Sequence, residues 1–137
     1  MTNTSNTPQL TALTLHQASR KLEITFDSGE TFLLSCEYLR VYSQSADVTG
    51  HAPGQEVLQV GKESVNITDI TPVGNYAVKL HFDDGHDTGI YTWVRLYELG
   101  KHQADNWTDY LRRLMRAGHP HPELEQKKSQ SQITQLH

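Results

Sequence analysis

Two stretches carry the reading of the fold: Leu22-Glu-Ile-Thr-Phe-Asp-Ser-Gly-Glu-Thr-Phe-Leu-Leu34 and Tyr76-Ala-Val-Lys-Leu-His-Phe-Asp-Asp-Gly-His-Asp-Thr-Gly-Ile-Tyr-Thr92. In the first, Leu22, Ile24 and Phe26 alternate with polar residues, Asp27-Ser28-Gly29 supplies a turn, and Phe32 and Leu34 resume the alternation. In the second, Tyr76, Val78, Leu80 and Phe82 alternate, Asp83-Asp84-Gly85 turns the chain, and Thr88, Ile90 and Thr92 follow. Period two on both sides of an Asp-rich, Gly-ended turn specifies a β-hairpin. A three-residue loop with glycine in the left-handed position pairs Ile24 with Phe32 and Val78 with Ile90, whereas a two-residue loop leaves Ile90 facing out. The three-residue register is the expectation. It sets His86 opposite Phe82 and turns its side chain toward the packed face.

Each hairpin runs into a short helical pattern: Cys36, Leu39 and Arg40 after the first, then Trp93, Leu96 and Tyr97 after the second, with Gly100 as its C-cap. Between them Ser43 to Gly61 is polar, carries Gly50, Pro53 and Gly54, and is long for a loop inside a small domain, which makes it a candidate functional or mobile segment. A further strand runs from Val65 to Thr71, with Val65, Ile67 and Asp69 on one face. Trp107, Tyr110, Leu111, Leu114 and Met115 form a helical stripe that Asp105 caps and that Gly118 and Pro120 end; Arg112, Arg113 and Arg116 suit its C-terminal dipole. The fold class is α+β: two related hairpins and one more strand form a small, mostly antiparallel sheet, packed by short helices and a C-terminal amphipathic helix. Residues 1–10 and 119–137 read as disordered tails around a single domain at 11–118.

Composition narrows the function classes. The 137 residues carry a net charge of −4, one cysteine and eight histidines, and only 36% of them are hydrophobic; the mean hydropathy is −0.60. One cysteine excludes an internal disulfide and an all-cysteine zinc site, and points to a reducing compartment. With no signal peptide and no run of about 18 apolar residues, the expectation is a soluble cytoplasmic protein without a membrane partner. A pI near 6.0 gives no electrostatic case for nucleic acid.

Metal binding is the first chemistry to weigh, since His81, Asp83, Asp84, His86 and Asp87 crowd one turn, and imidazole with carboxylate suits zinc or iron. Against it, exposed turns are Asp-rich for conformational reasons. His81-Phe82-Asp83 has the His-x-Asp form of an iron oxygenase site, but such an enzyme needs a jelly roll of about eight strands and this chain offers about five. Cys36 reads as a small buried residue at a helix start, its neighbour Glu37 raising the thiol pKa. His119, His121 and His137 read as tail residues. Gly61-Lys62-Glu63-Ser64 fails as a phosphate loop, because position 56 is glutamate and Glu63 stands where a hydroxyl is needed.

Leu39-Arg40-Val41-Tyr42-Ser43-Gln44-Ser45-Ala46-Asp47-Val48, Gly50-His51-Ala52-Pro53-Gly54-Gln55 and Asp84-Gly85-His86-Asp87-Thr88-Gly89-Ile90-Tyr91-Thr92-Trp93 together resemble the gamma-butyrobetaine hydroxylase-like N-terminal domain family in its small stand-alone bacterial form, over residues 13 to 102. The resemblance implies a small α+β domain that, in the hydroxylase, precedes a separate iron- and 2-oxoglutarate-dependent jelly roll; it is also similar to an appendage on some P-loop carriers of iron–sulfur clusters. It further implies a zinc ion held by three cysteines after the Leu-Arg element and one histidine. The histidine matches His86, and the cysteine positions fall at Ser43, Ser45 and Val48, none of which supplies a thiolate.

The expected function is therefore a non-catalytic accessory module that binds a protein partner, linked to iron or iron–sulfur metabolism, with no cofactor. Its interaction surface is expected at Arg40, Ser43, Ser45, His51, Gln55 and Trp93. The alternative is a zinc or iron protein using His86 with His81, Asp83 and nearby carboxylates, joined by Cys36; a remoter one is part of an iron/2-oxoglutarate oxygenase system.

Overall fold

The computed structural model describes residues 8–43, 59–86 and 89–124. The chain divides into two compact units, Met1–Gln103 and Ala104–His137.

The first unit contains β1 (Leu10–His16), β2 (Lys21–Phe26), β3 (Thr31–Ser35), α1 (Cys36–Val41), β4 (Ile67–Val73), β5 (Ala77–Phe82), β6 (Ile90–Thr92) and α2 (Trp93–Lys101). Both expected hairpins are present, β2–β3 and β5–β6. Each gains a strand on its N-terminal side, giving two antiparallel sheets, β1-β2-β3 and β4-β5-β6. The α+β reading holds, with the strands shared between two sheets. Sequence reading missed β1, whose alternation is interrupted by a bulge between Leu10 and Ala12 and resumes only at Leu13 and Leu15. Leu10, expected in the tail, is part of this strand, and Gln9 and Asp27 exchange two hydrogen bonds of 2.9 and 3.1 Å.

The two sheets with their helices repeat one plan. In both turns the backbone N–H of the phenylalanine donates to the residue four positions on (Phe26 to Glu30 and Phe82 to His86, 2.9 Å each), and glycine takes a left-handed φ of +92° at Gly29 and +89° at Gly85. Only glycine adopts that conformation without strain. Both first strands are bulged opposite these phenylalanines, Leu10 facing Phe26 and Ile67 facing Phe82. Ser35 caps α1 by accepting from the Tyr38 amide at 3.0 Å, and Thr92 caps α2 by accepting from the Arg95 amide at 3.0 Å. The described residues of the first unit are thus β-β-β-α written twice.

Register explains two corrections. Ile24 pairs with Phe32 as expected, but Val78 pairs with Tyr91 and Lys79 with Ile90. The three-residue turn is there, with Phe82 bonded to His86, yet the β5–β6 pairs lie one residue out of the register expected from that turn. Tyr91 therefore enters the core at 1% exposure, and Ile90 faces out at 42%. In β4 the bulge between Ile67 and Asp69 puts Ile70 rather than Asp69 on the inner side, and Asp69 is exposed.

Leu22, Ile24, Phe26, Leu34, Tyr38, Leu39, Ile67, Leu80, Tyr91, Leu96 and Leu99 form the core, each at most 1% exposed. The helices are exchanged between the repeats. The Tyr97 hydroxyl and Lys101 Nζ of α2 donate to Glu30 of the first turn at 2.7 and 3.1 Å, while Arg40 of α1 donates to Asp84 of the second. Gly100 is not a C-cap, because α2 continues through it to a cap at His102. It is glycine because a Cβ there would lie 2.5 Å from ring carbons of Phe32.

The second unit is mostly α3 (Gln103–Arg116, its first residue belonging to the first unit). Asp105 lies in the first turn of α3 rather than at its cap. Gly118 ends the helix as expected: it takes φ +77°, the His119 N–H reaches the Leu114 carbonyl at 2.9 Å, and the Gly118 N–H reaches that of Met115 at 3.1 Å, the bond pair of a Schellman motif. Tyr110, Leu111 and Leu114 are buried, but Met115 is 61% exposed because it lies to one side of the stripe they define. His121, expected in a solvated tail, is 4% exposed and packs edge-on against Trp107 and Tyr110, its Nδ1 accepting the Glu123 amide at 3.1 Å.

Candidate functional site

The polar residues singled out from sequence meet where α1 ends against the turn between β5 and β6. Arg40 lies between Leu39 and Val41 on a helix whose residues are all buried, so folding encloses its guanidinium, leaving the side chain 7% exposed. A buried cation needs an anion nearby, and Asp84 supplies it: Oδ2 accepts from Arg40 Nε and from Lys62 Nζ, each at 2.9 Å, and Oδ1 accepts the His86 amide at 3.1 Å. Burial alone would raise the Asp84 pKa. The bonds from Lys62, the His86 amide and Arg40 outweigh it and hold the carboxyl down to about 2.

His86 lies in the interior at 8% exposure, its ring 6.0 Å from that of Phe82. This is the inward placement that the three-residue turn requires. Its Nε2 shares a 2.9 Å hydrogen bond with Ser43 Oγ, and Ser43 is 1% exposed. Gly89 lets this bond form, since a Cβ at that position would lie 2.6 Å from Ser43 Oγ. The Tyr91 hydroxyl donates to the Leu39 carbonyl, and Arg95 Nη2 donates to that of Tyr42 at 2.8 Å. Burial pushes the Tyr91 phenol far above its usual range, against the opposing pull of the Ser43 hydroxyl, Arg95 and Arg40. Leu39, Arg40, Tyr42 and Ser43 are each tied to a residue between Asp84 and Arg95, and together these bonds form a clasp.

Among the described residues the clasp is a network of internal hydrogen bonds. Arg40 and Ser43, expected on a partner surface, are interior residues whose polar atoms hold the helix end. The residues proposed as metal ligands do not come together. His81 lies on the other face of β5 from Leu80 and Phe82, with Nε2 2.8 Å from Thr71 Oγ1; Asp83 Oδ1 accepts the Asn66 amide at 3.1 Å; and Cys36 Sγ is 3.7 Å from Asn66 Oδ1. Among the described residues no group of three His, Cys, Asp or Glu side chains is placed to hold a metal ion. Burial raises the Cys36 thiol pKa; a backbone bond from Ile67 and the Arg20 charge oppose it, and the reinforcing charge is that of Asp83 rather than the expected Glu37. Trp93 is half-buried with its indole N–H on the Asn75 carbonyl at 2.9 Å. Ser45, His51 and Gln55, with Val48, lie outside the described residues. Lys62, Tyr91 and Arg95 were missed, although an arginine amid apolar helix positions was itself a signal that charged partners had to exist.

A small α+β domain built of two β-β-β-α repeats, with Arg40, Ser43 and His86 drawn inward, is the class that fold and site define. The family model described as gamma-butyrobetaine hydroxylase-like, N-terminal, matches residues 13–97, and the chain belongs to that family. One solution NMR structure is 58% identical, covering 88% of this chain and 89% of that one at a TM-score of 0.73; a second is 44% identical, covering 82% and 89% at 0.72. A crystal structure of a protein of unknown function from Acidithiobacillus ferrooxidans, assigned to the DUF971 family, is 38% identical over 67% of this chain and 92% of that one, at 0.55. No curated protein matches the chain significantly. No helix among the described residues is long and apolar enough to cross a membrane.

Proposed function

We propose that the chain is a non-catalytic accessory module that binds a protein partner, linked to iron or iron–sulfur metabolism as the family resemblance implies. The observation that supports partner binding is apolar surface along one stretch. Ile90 and Val94 are 42% and 47% exposed on either side of half-buried Trp93, and Tyr76, whose carbonyl accepts the Trp93 amide at 2.9 Å, is 54% exposed. Single exposed apolar residues are ordinary, but several along one strand-to-helix junction mark a contact surface. In this reading the surface is Tyr76, Ile90, Trp93 and Val94, extended by Ser45, His51 and Gln55 of the polar stretch.

The test is affinity capture from the native cell with the immobilised full chain, in parallel with Ile90→Asp and Val94→Asp. A partner held by the wild type and lost by both variants, whose thermal melts stay unchanged, is the expected result. Retention of the same partner by both variants, or nothing held above a bead control, refutes the reading.

A further inference from the structure

We infer that the Ser43–His86 hydrogen bond, with Arg40–Asp84 beside it, does in this chain the tethering that the family resemblance assigns to a zinc ion, so that the fold is independent of metal. Zinc is held by thiolate, imidazole or carboxylate, and of the four implied positions only His86 offers one of these. Its Nε2 already faces the Ser43 hydroxyl at 2.9 Å. Ser43 has no thiolate to give, and Ser45 and Val48 stand at the other two positions. Cys36 is no substitute, since its sulfur lies against Asn66. The residues present do not fit the ion.

The internal repeat supplies a second observation. In both halves a helix must be held on the turn of the other half. At the first turn Glu30 occupies the place that His86 takes at the second, and the joint closes through the Tyr97 hydroxyl and Lys101 Nζ on Glu30, at 2.7 and 3.1 Å. A hydrogen bond and an ion pair meet that need, with the Tyr97 ring packed on Phe26 and Phe32. Ser43 and Gly100 likewise correspond, each eight residues beyond its helix cap, Ser35 or Thr92: Ser43 contributes a hydroxyl to the joint, and Gly100 makes room for the Phe32 ring. The second joint is therefore the same device in different chemistry, its Ser–His bond holding the end of α1.

The full-length chain, produced in medium supplemented with zinc and iron, is assayed for metal after gel filtration and melted with EDTA and with equimolar zinc sulfate. The expected result is no stoichiometric metal and a Tm that neither reagent moves. Ser43→Ala is expected to lower Tm by roughly 5 °C, the loss of about one hydrogen bond in a domain of this size. One metal ion per chain that survives dialysis, a Tm that falls in EDTA, or a Ser43→Ala melt identical to wild type overturns the inference. If Ser43→Ala does not fold, the metal content and EDTA melt of the wild type decide.

Discussion

Asp84→Ala removes one acceptor from three donors at once, and the cost can be built from their surroundings. Lys62 loses least, because its side chain is 21% exposed and its ammonium can turn to water. The His86 amide loses an ordinary hydrogen bond, about 1 kcal/mol. Arg40 dominates: its side chain is 7% exposed, and its Nη1 is already buried without an acceptor. Stranding a buried charge costs about 3–5 kcal/mol when fully enclosed; with the Asp84 side chain 24% exposed, water reaches the gap and about 2 kcal/mol is a fair share. The sum is about 3 kcal/mol, or a fall in Tm of roughly 12–24 °C for a unit near 100 residues. The pH dependence has a definite sign. The folded pKa lies below the ordinary 3.8, at about 2, so the carboxylate's contribution is complete above pH 4 and is lost as pH falls from about 4 toward 2. Urea denaturation followed by circular dichroism at pH 7, 4 and 2.5 should show the gap between wild type and variant narrowing over that interval. Arg40→Met combined with Asp84→Ala should regain part of the loss, since an apolar side chain needs no partner. A variant as stable as wild type at pH 7, or a gap unchanged at pH 2.5, refutes the account of the clasp.

Gly100→Ala should destabilise by up to about 2 kcal/mol in urea denaturation, because a Cβ 2.5 Å from Phe32 ring carbons overpacks the interface by about 1–3 kcal/mol against a gain of about 1 kcal/mol in helix propensity. The Cys36 thiol, fully buried and raised in pKa by burial, should react with a thiol-specific disulfide reagent only after denaturant is added; rapid stoichiometric reaction of the native chain at pH 8 would refute its placement.

What could be read in the sequence was what depends on near neighbours. Alternation and glycine position gave both hairpins, their three-residue turns and the inward side chain of His86, because those follow from a period of two and a left-handed residue. The slip that exchanges Ile90 for Tyr91 was not readable, since the alternation within β5 and within β6 is the same in either register. Strand β1 was hidden by its bulge for the same reason. The site was legible by residue type and not by partner: Arg40, Ser43, Asp84 and His86 all stood out, but Arg40 and Ser43 were assigned to the surface. Only the exchange of helices between the repeats brings residue 40 to residue 84 and residue 43 to residue 86, and nothing local encodes an exchange.

The exchange also bears on which substitutions each half can tolerate. If each helix stayed on its own hairpin, a polar residue gained on α1 would meet groups near it in sequence. Because the helices are crossed, a change on α1 has to be answered in the second turn, and one on α2 in the first. The first joint holds its carboxylate at the rim, where Glu30 is 33% exposed and solvent shares its bonds, so substitutions there should cost little. The second holds Arg40, Ser43 and His86 in the interior, where a polar atom without its partner costs far more. Replacing Ser43 or His86 alone should therefore be harder to tolerate than replacing Glu30 or Lys101, and that asymmetry arises from burial rather than from any catalytic demand.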